Sequence, residues 1–320
     1  MADQLRILIV GAGKMGFFHA QAALSIPQCK VVGIVSRRLT SAQKLSSKFI
    51  DKDIKAFDDL RKAVEETSAN AAIIAVSHFV TAKVLEDCLS LGLNCLVEKP
   101  VSIKYEEIDH LIELQESKNL KVMVGVNRRF YNTIQNAYIK SKYHGKLNSI
   151  SLVASDFPLY YKLRSSFEDE VYDHWPVMNT IHGFDLLSLF GEGLDKVIHK
   201  EVSTGDELII SAVIKGKNGL IMNFLYSEGS GTLNNWKFSL LGKDYNMEFS
   251  PLESLRYSSP FPGTDDELYK EESEFKPGIK EQLMYFSNVV VANLEVKYPS
   301  SNLQDHKGVL KIMNELFNNR

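Results

Sequence analysis

Residues 5–16 read LRILIVGAGKMG, an apolar run that ends in glycines at 11, 13 and 16. Each position in this G-x-G-x-x-G spacing has a chemical reason. Gly11 permits a tight turn out of a strand, Gly13 lets the backbone approach a pyrophosphate, and Gly16 lets the next helix pack closely on the strand. The apolar-periodic segment that follows is a helix whose first turn carries Lys14 and Met15, and its unpaired N–H groups and positive dipole end suit an anion. The stretch therefore predicts a Rossmann dinucleotide site.

Moving outward, the second strand ends in VVGIVSRR, residues 31–38. An NAD-selective site would place an acid here for the ribose 2'-hydroxyl. Ser36, Arg37 and Arg38 offer instead a hydroxyl and two guanidinium groups, which suit a 2'-phosphate through charge-assisted bonds. The expected cofactor is therefore NADP(H). Ser77 and His78, Glu98 and Lys99, and Asn127, all at or just beyond the ends of later strands, complete the candidate cofactor set.

The rest of the first 125 residues alternates short β-branched runs with amphipathic stretches, the pattern of βαβ units in a parallel sheet covered on both faces. The strands are RILIV, VVGIV, AAIIAV, NCLVE and KVMVGV, and the helices span residues 41–50, 80–91 and 105–117. After Asn127 the texture changes to longer alternating segments, SISLVASDF, ELIISAVIKG, GLIMNFLYSEG and WKFSLLGKDYNMEF, separated by turn residues such as KGKNG at 215–219. Helices are expected at 177–190, 278–293 and 304–318. Residues 251–277 hold four of the nine prolines and many acids, and read as a surface excursion. The fold class is α/β, with a Rossmann domain over 1–125 and an α+β domain over 126–320.

Bulk properties limit the partners. A net charge of -3 provides no positive field for nucleic acid or an anionic membrane. No apolar stretch approaches the roughly 20 residues of a spanning helix, and the amino terminus lacks the zones of a signal peptide, so a cytosolic protein is expected. Cys29, Cys88 and Cys95 have no C-x-x-C spacing, which argues for buried free thiols and against a disulfide framework or a metal site.

At residues 91–102, LGLNCLVEKPVS, the motif Glu98-Lys99-Pro100 resembles the E-K-P motif of the Gfo/Idh/MocA oxidoreductases, the family of glucose-fructose oxidoreductase and inositol dehydrogenase. The glycine turn, GVNRRF at 125–130, IHGFDLLSLFG at 181–191 and FKPGIKEQLMYF at 275–286 match the family in the same order. The resemblance implies a second domain with a large open mixed, mainly antiparallel sheet, an active site in the cleft between the domains, and a homodimer or homotetramer. It implies that Lys99 reaches the substrate oxygen, with Pro100 after a cis peptide fixing its direction. Independently of family, a Lys at a strand's carboxyl end beside a nicotinamide can donate to the oxygen whose charge changes during hydride transfer; the competing assignment is a surface salt bridge.

His182 and Asp185 match the family's H-x-x-D, and a spacing of three puts both on one helix face. His182 is the acid/base candidate, since its ordinary pKa of about 6.5 allows proton transfer near neutrality. The chain departs from the family one turn earlier, where many relatives carry Asp and this sequence has Met178, followed by Asn179. Either His182 works without that carboxylate, or Tyr172, Asp173 and His174 replace it, or the substrate differs. Arg129, Tyr172, His174, Asn179 and Asp185 are the substrate candidates. The aromatics Phe157, Tyr160, Tyr161, Tyr172 and Trp175 form either a sugar-stacking wall or a core or oligomer contact.

The expected activity is NADP(H)-linked hydride transfer on a hydroxyl or keto group of a sugar, nucleotide-linked sugar or polyol. Two alternatives stand beside it: a non-catalytic NADP-binding sensor, favoured by the absent Asp and opposed by Lys99 and His182, and an enzyme recycling a tightly held NAD, opposed by Ser36 and the two arginines.

Overall fold

The computed structural model describes residues 4–50, 52–164, 171–172, 174–204, 207–229, 236–260 and 267–317. The chain forms two compact units, one of residues 1–130 with 273–307 and one of residues 131–272 with 308–320.

In the first unit, six strands form one parallel sheet in the order Lys55–Phe57, Cys29–Val35, Leu5–Val10, Ala71–Ile74, Asn94–Glu98, Val122–Gly125. The central strands are apolar almost throughout because helices cover both faces, and Ile7, Ile9, Ile34, Ile73 and Leu96 are all fully buried. The expected helices are present with shifted ends, as Leu39–Ser46, His78–Ser90 and Glu107–Ser117. The strand Lys55–Phe57 was not anticipated; three residues are too few to show a period.

The expected division at 125/126 is corrected by the carboxy-terminal region. Helix Ile279–Val291 buries Ile279, Leu283 and Phe286 completely in the same core as the parallel sheet. Each such side chain contributes about 1.5–3 kcal/mol on burial, enough to hold the returning segment to the first unit.

The second unit is built on an eight-stranded sheet in the order Glu267–Lys270, Ser254–Ser258, Tyr245–Phe249, Lys237–Gly242, Leu147–Asp156, Ile221–Glu228, Leu208–Gly216, Leu194–Thr204. Leu147–Asp156 and Ile221–Glu228 run parallel and the other neighbours antiparallel, giving the mixed, mainly antiparallel sheet expected. Residues 251–277 are not wholly an excursion. They supply the last two strands at one end of the sheet, in the first of which Leu255 and Tyr257 are buried on either side of exposed Arg256, an alternation the prolines obscured.

Helix Ile181–Phe190 is buried at every residue. Gly183 makes that possible, because a Cβ there would stand 2.6 Å from Leu152 Cδ2 on the sheet. The single helix expected over 177–190 is two, Trp175–Met178 and Ile181–Phe190, broken at Asn179 and Thr180. Among the described residues, no helix is long and apolar enough to cross a membrane. Cys29, Cys88 and Cys95 are buried free thiols.

Candidate functional site

The glycine turn of the first unit has three different glycines. A Cβ on Gly11, whose φ is +115°, would meet Ala75 O at 2.1 Å, and one on Gly16 would meet Gly11 O at 2.0 Å. The chain's own atoms therefore demand glycine at both. A Cβ on Gly13 would meet nothing within 4 Å. The space above Gly13 is open, as approach by a pyrophosphate requires, and the helix Lys14–Leu24 that it caps has neither a side-chain cap nor an acid in its first turn. The residues present thus fit a dinucleotide. Gly11 N–H donates to Val35 O at 2.8 Å, which joins this turn to the end of the strand that leads into Ser36, Arg37 and Arg38. Both arginines are exposed there. Ser77 caps helix His78–Ser90, and its carbonyl accepts from Val80 N–H and Thr81 Oγ1, while His78 is buried against the Phe79 ring.

Glu98 and Lys99 lie at the carboxyl end of strand Asn94–Glu98, where an open parallel sheet offers its ligand crevice. His19, fully buried in the glycine-turn helix, shares a 2.7 Å hydrogen bond between Nε2 and Glu98 Oε1. Burial alone would raise the Glu98 pKa; the His19 hydrogen bond and the His19, Lys99 and Lys276 charges outweigh it, and the carboxyl is held below its ordinary value. Burial pushes the Lys99 ammonium down to about 8, opposed by Glu98 and assisted by Arg128 and Lys276. An amine poised near neutral pH can hold or release a proton during the reaction, which a surface salt bridge would not require. The Lys99–Pro100 peptide is cis, as the resemblance implied.

Directly after it, Val101 N–H donates to His306 Nε2 at 3.2 Å. His306 is fully buried, and burial, then Arg129 and Lys99, push it down to about 3. It is therefore neutral, and with Nε2 accepting, its ring proton sits on Nδ1. Two expected site residues of this unit make contacts within it. Asn127 Nδ2 donates to Pro277 O at 2.8 Å, and Arg129, buried, donates from Nη1 to Ser300 O at 2.9 Å. His19, Arg128, Lys276 and His306 were not singled out in the sequence. Their link to Lys99 or Glu98 depends on contacts between distant segments.

In the second unit, His182 and Asp185 are buried on helix Ile181–Phe190, and His182 N–H donates to Asn179 O at 3.3 Å. The break before that helix is held by Asp156, a buried carboxylate at the end of strand Leu147–Asp156. Its Oδ1 accepts from Asn179 Nδ2 at 2.6 Å and its Oδ2 from Thr180 Oγ1. A carboxylate thus does serve the turn preceding His182, from the sheet rather than from position 178. His174 precedes helix Trp175–Met178, and its carbonyl accepts from Met178 N–H. Asp173 lies outside the described residues. Tyr161 and Tyr172 stack on Trp175, with centroids 4.8 and 5.8 Å away, and Tyr172 Oη donates to Tyr161 O at 3.4 Å; these aromatics pack on one another.

A glycine turn open to an anion, an adjoining basic pair and a lysine held near pH 8, all on the carboxyl ends of one parallel sheet, have the chemistry of a dinucleotide-binding site. Residues 5–126 match the family model described as "Oxidoreductase family, NAD-binding Rossmann fold", so this part of the chain is similar to the Gfo/Idh/MocA oxidoreductases. It is 28% identical over 132 residues to UDP-N-acetylglucosamine 3-dehydrogenase of Acidithiobacillus ferrooxidans, a match spanning 41% of this chain and 40% of that enzyme. To myo-inositol 2-dehydrogenase of Thermotoga maritima it is 22% identical over 76% of this chain and 72% of the relative. Among solved structures, a dehydrogenase from Chromobacterium violaceum superposes with a TM-score of 0.84 at 17% identity, over 99% of this chain and 95% of the other. The Acidithiobacillus enzyme superposes with a TM-score of 0.77 at 18% identity, over 98% of each chain. These structural likenesses carry the fold alone.

Proposed function

We propose that the protein is an NADP(H)-dependent oxidoreductase that transfers a hydride between the nicotinamide and a hydroxyl or keto group of a sugar, nucleotide-linked sugar or polyol. The observation that carries this proposal is Lys99, an amine lowered to about 8 on the same sheet edge as the glycine turn. The relatives' names, a UDP-sugar dehydrogenase and an inositol dehydrogenase, support the substrate class. Ser36, Arg37 and Arg38 support a 2'-phosphate and hence NADP(H).

The dinucleotide, when bound, supplies the hydride donor or acceptor; the chain supplies position and proton control. Gly11, Gly13, Lys14, Met15 and Gly16 hold the pyrophosphate end. Lys99 donates to the substrate oxygen as it becomes alkoxide in reduction, and accepts from it in oxidation. His182 is the second proton carrier, with Asp156 fixing the turn that precedes it. Tyr172, His174, Asn179 and Asp185 are the substrate residues of the second unit. A cytosolic homodimer or homotetramer acting on a small molecule fits exposed Ile198, Val202, Ile209, Ile221 and Leu225 along neighbouring strands.

Steady-state turnover on a panel of keto-sugars and polyols, with NADPH and NADH compared, tests the proposal. Replacing Arg37 and Arg38 together should raise KM for NADPH much more than for NADH. An unchanged preference in the double variant would remove the 2'-phosphate assignment, and no turnover on the panel with either cofactor would favour a sensor.

A further inference from the structure

Strand Asn94–Glu98 is buried through its middle and ends in a carboxylate bonded to buried His19. That carboxyl is bounded on two sides. His19 Nε2 lies 2.7 Å from Oε1, and a Cβ on Gly125 of the neighbouring strand would stand 3.2 Å from Glu98 Cα and 3.5 Å from its Cδ. The His19 side chain is fully buried and that of Glu98 only 13% exposed, so little water can replace the bond. A carboxylate only accepts, and the Nε2–H of His19 therefore donates. Without that donor the charge would stand in a nearly dry site, where a carboxyl takes up a proton instead.

The next residue is Lys99. The Glu98 charge favours the Lys99 ammonium, which burial, Arg128 and Lys276 all oppose. Arg128 comes from the short helix Asn127–Phe130 and Lys276 from the segment before helix Ile279–Val291. His306, from helix Leu303–Phe317, is neutral and adds no charge. Lys276 also acts on Glu98, so His19, Lys99 and Lys276 together surround that carboxylate.

We propose that His19 is a positioning residue for Lys99: by donating to Glu98 it keeps a fixed negative charge beside the amine, so that Lys99 still holds its proton at neutral pH. The same bond ties the strand that presents Lys99 to the helix that opens at the glycine turn. That the Lys99 proton serves a substrate rests on the function proposed above; the relation between His19, Glu98 and Lys99 does not.

Competitive acetylation of the full chain with trace acetic anhydride, read on the Lys99 peptide by mass spectrometry from about pH 6 to about pH 10, follows the amine without turnover. Lys99 is partly exposed, so the reagent reaches it. His19→Leu should lower the Lys99 midpoint from about 8 by about one pH unit or more, and Glu98→Gln, which keeps the side-chain shape, should lower it as far. His19→Gln, whose amide restores a donor, should hold the midpoint near wild type, and adding His19→Leu to Glu98→Gln should move it no further. His19→Asn, with an amide too short to reach Glu98, takes the place of His19→Leu if the latter does not fold. In turnover, the alkaline fall of carbonyl reduction should move down with the midpoint, so that kcat in His19→Leu drops several-fold at about pH 8, recovers at about pH 6, and leaves the KM for NADPH nearly unchanged. An unmoved midpoint in the His19 variant or in Glu98→Gln overturns the proposal, as does an equal displacement by the His19 variant with and without the Glu98 carboxylate. A midpoint that moves as expected in a protein without turnover on any substrate leaves the His19 relation standing and removes the oxidoreductase function.

Discussion

Replacing Lys99 should make the protein both inactive and more stable. Burial holds the ammonium at about 8 against an ordinary 10.5, and at about 1.4 kcal/mol per pKa unit the charged form in the fold costs about 3 kcal/mol. Lys99→Met keeps most of the stem's volume and removes that charge, although Glu98 loses a favourable neighbour. A net gain of about 2 kcal/mol is therefore expected at pH 7. The sign follows from proton binding. The unfolded chain keeps this proton up to about 10.5 and the folded chain only to about 8, so wild-type stability rises with pH across that window. The advantage of the variant should be full below pH 8 and should vanish as pH approaches 10.5. Urea unfolding of both proteins at intervals from pH 7 to pH 10.5 measures it, alongside a kcat expected to fall roughly a hundredfold. A variant less stable than wild type at pH 7, or a gap constant across the window, would refute the strained-lysine interpretation.

The glycine turn separates binding from folding. Gly13→Ala should weaken ADP-ribose at least tenfold with Tm almost unchanged, whereas Gly16→Ala should lower Tm by several degrees because its Cβ would meet Gly11 O. Equal thermal losses in the two variants would contradict the open space over Gly13. His306→Leu orphans the Val101 N–H and should lower kcat about tenfold with little change in cofactor KM, and His306→Gln, which restores an acceptor, should recover most of it. A kcat unaffected in the Leu variant would make His306 a packing residue only. Asp156→Asn leaves Asn179 and Thr180 with a weaker acceptor; kcat/KM should fall while ADP-ribose affinity, read from the first unit, stays constant. Loss of ADP-ribose binding in that variant would point to general misfolding.

The parts of the site legible in the sequence are those whose chemistry is local. Residues 5–16 carry strand, turn and helix start within one short window, and the doubly covered parallel strands appear as continuous apolar runs. Glu98-Lys99-Pro100 was legible through resemblance. What escaped depends on distance along the chain. The apolar spacing of Ile279, Leu283 and Phe286 shows a helix with a buried face, but not that the face returns to the first core. No Gly or Pro marks the break at Asn179 and Thr180; its holding group, Asp156, lies more than 20 residues earlier. His19 meets Glu98 across 79 residues and His306 meets Val101 across 205, contacts that no periodicity encodes. That Arg129 is buried and donates to Ser300 O, 171 residues on, likewise leaves no local signature.

Hydride transfer itself can be followed by isotope. Wild-type protein incubated with NADPH deuterated at the transferable nicotinamide position, and with the panel of keto-sugars, should place deuterium on the carbinol carbon of one product, seen by mass spectrometry. The same incubation with Lys99→Met should place little or none. A protein that binds the dinucleotide yet yields no deuterated product from any member of the panel would contradict the proposed oxidoreductase activity and leave a nucleotide-binding sensor in its place.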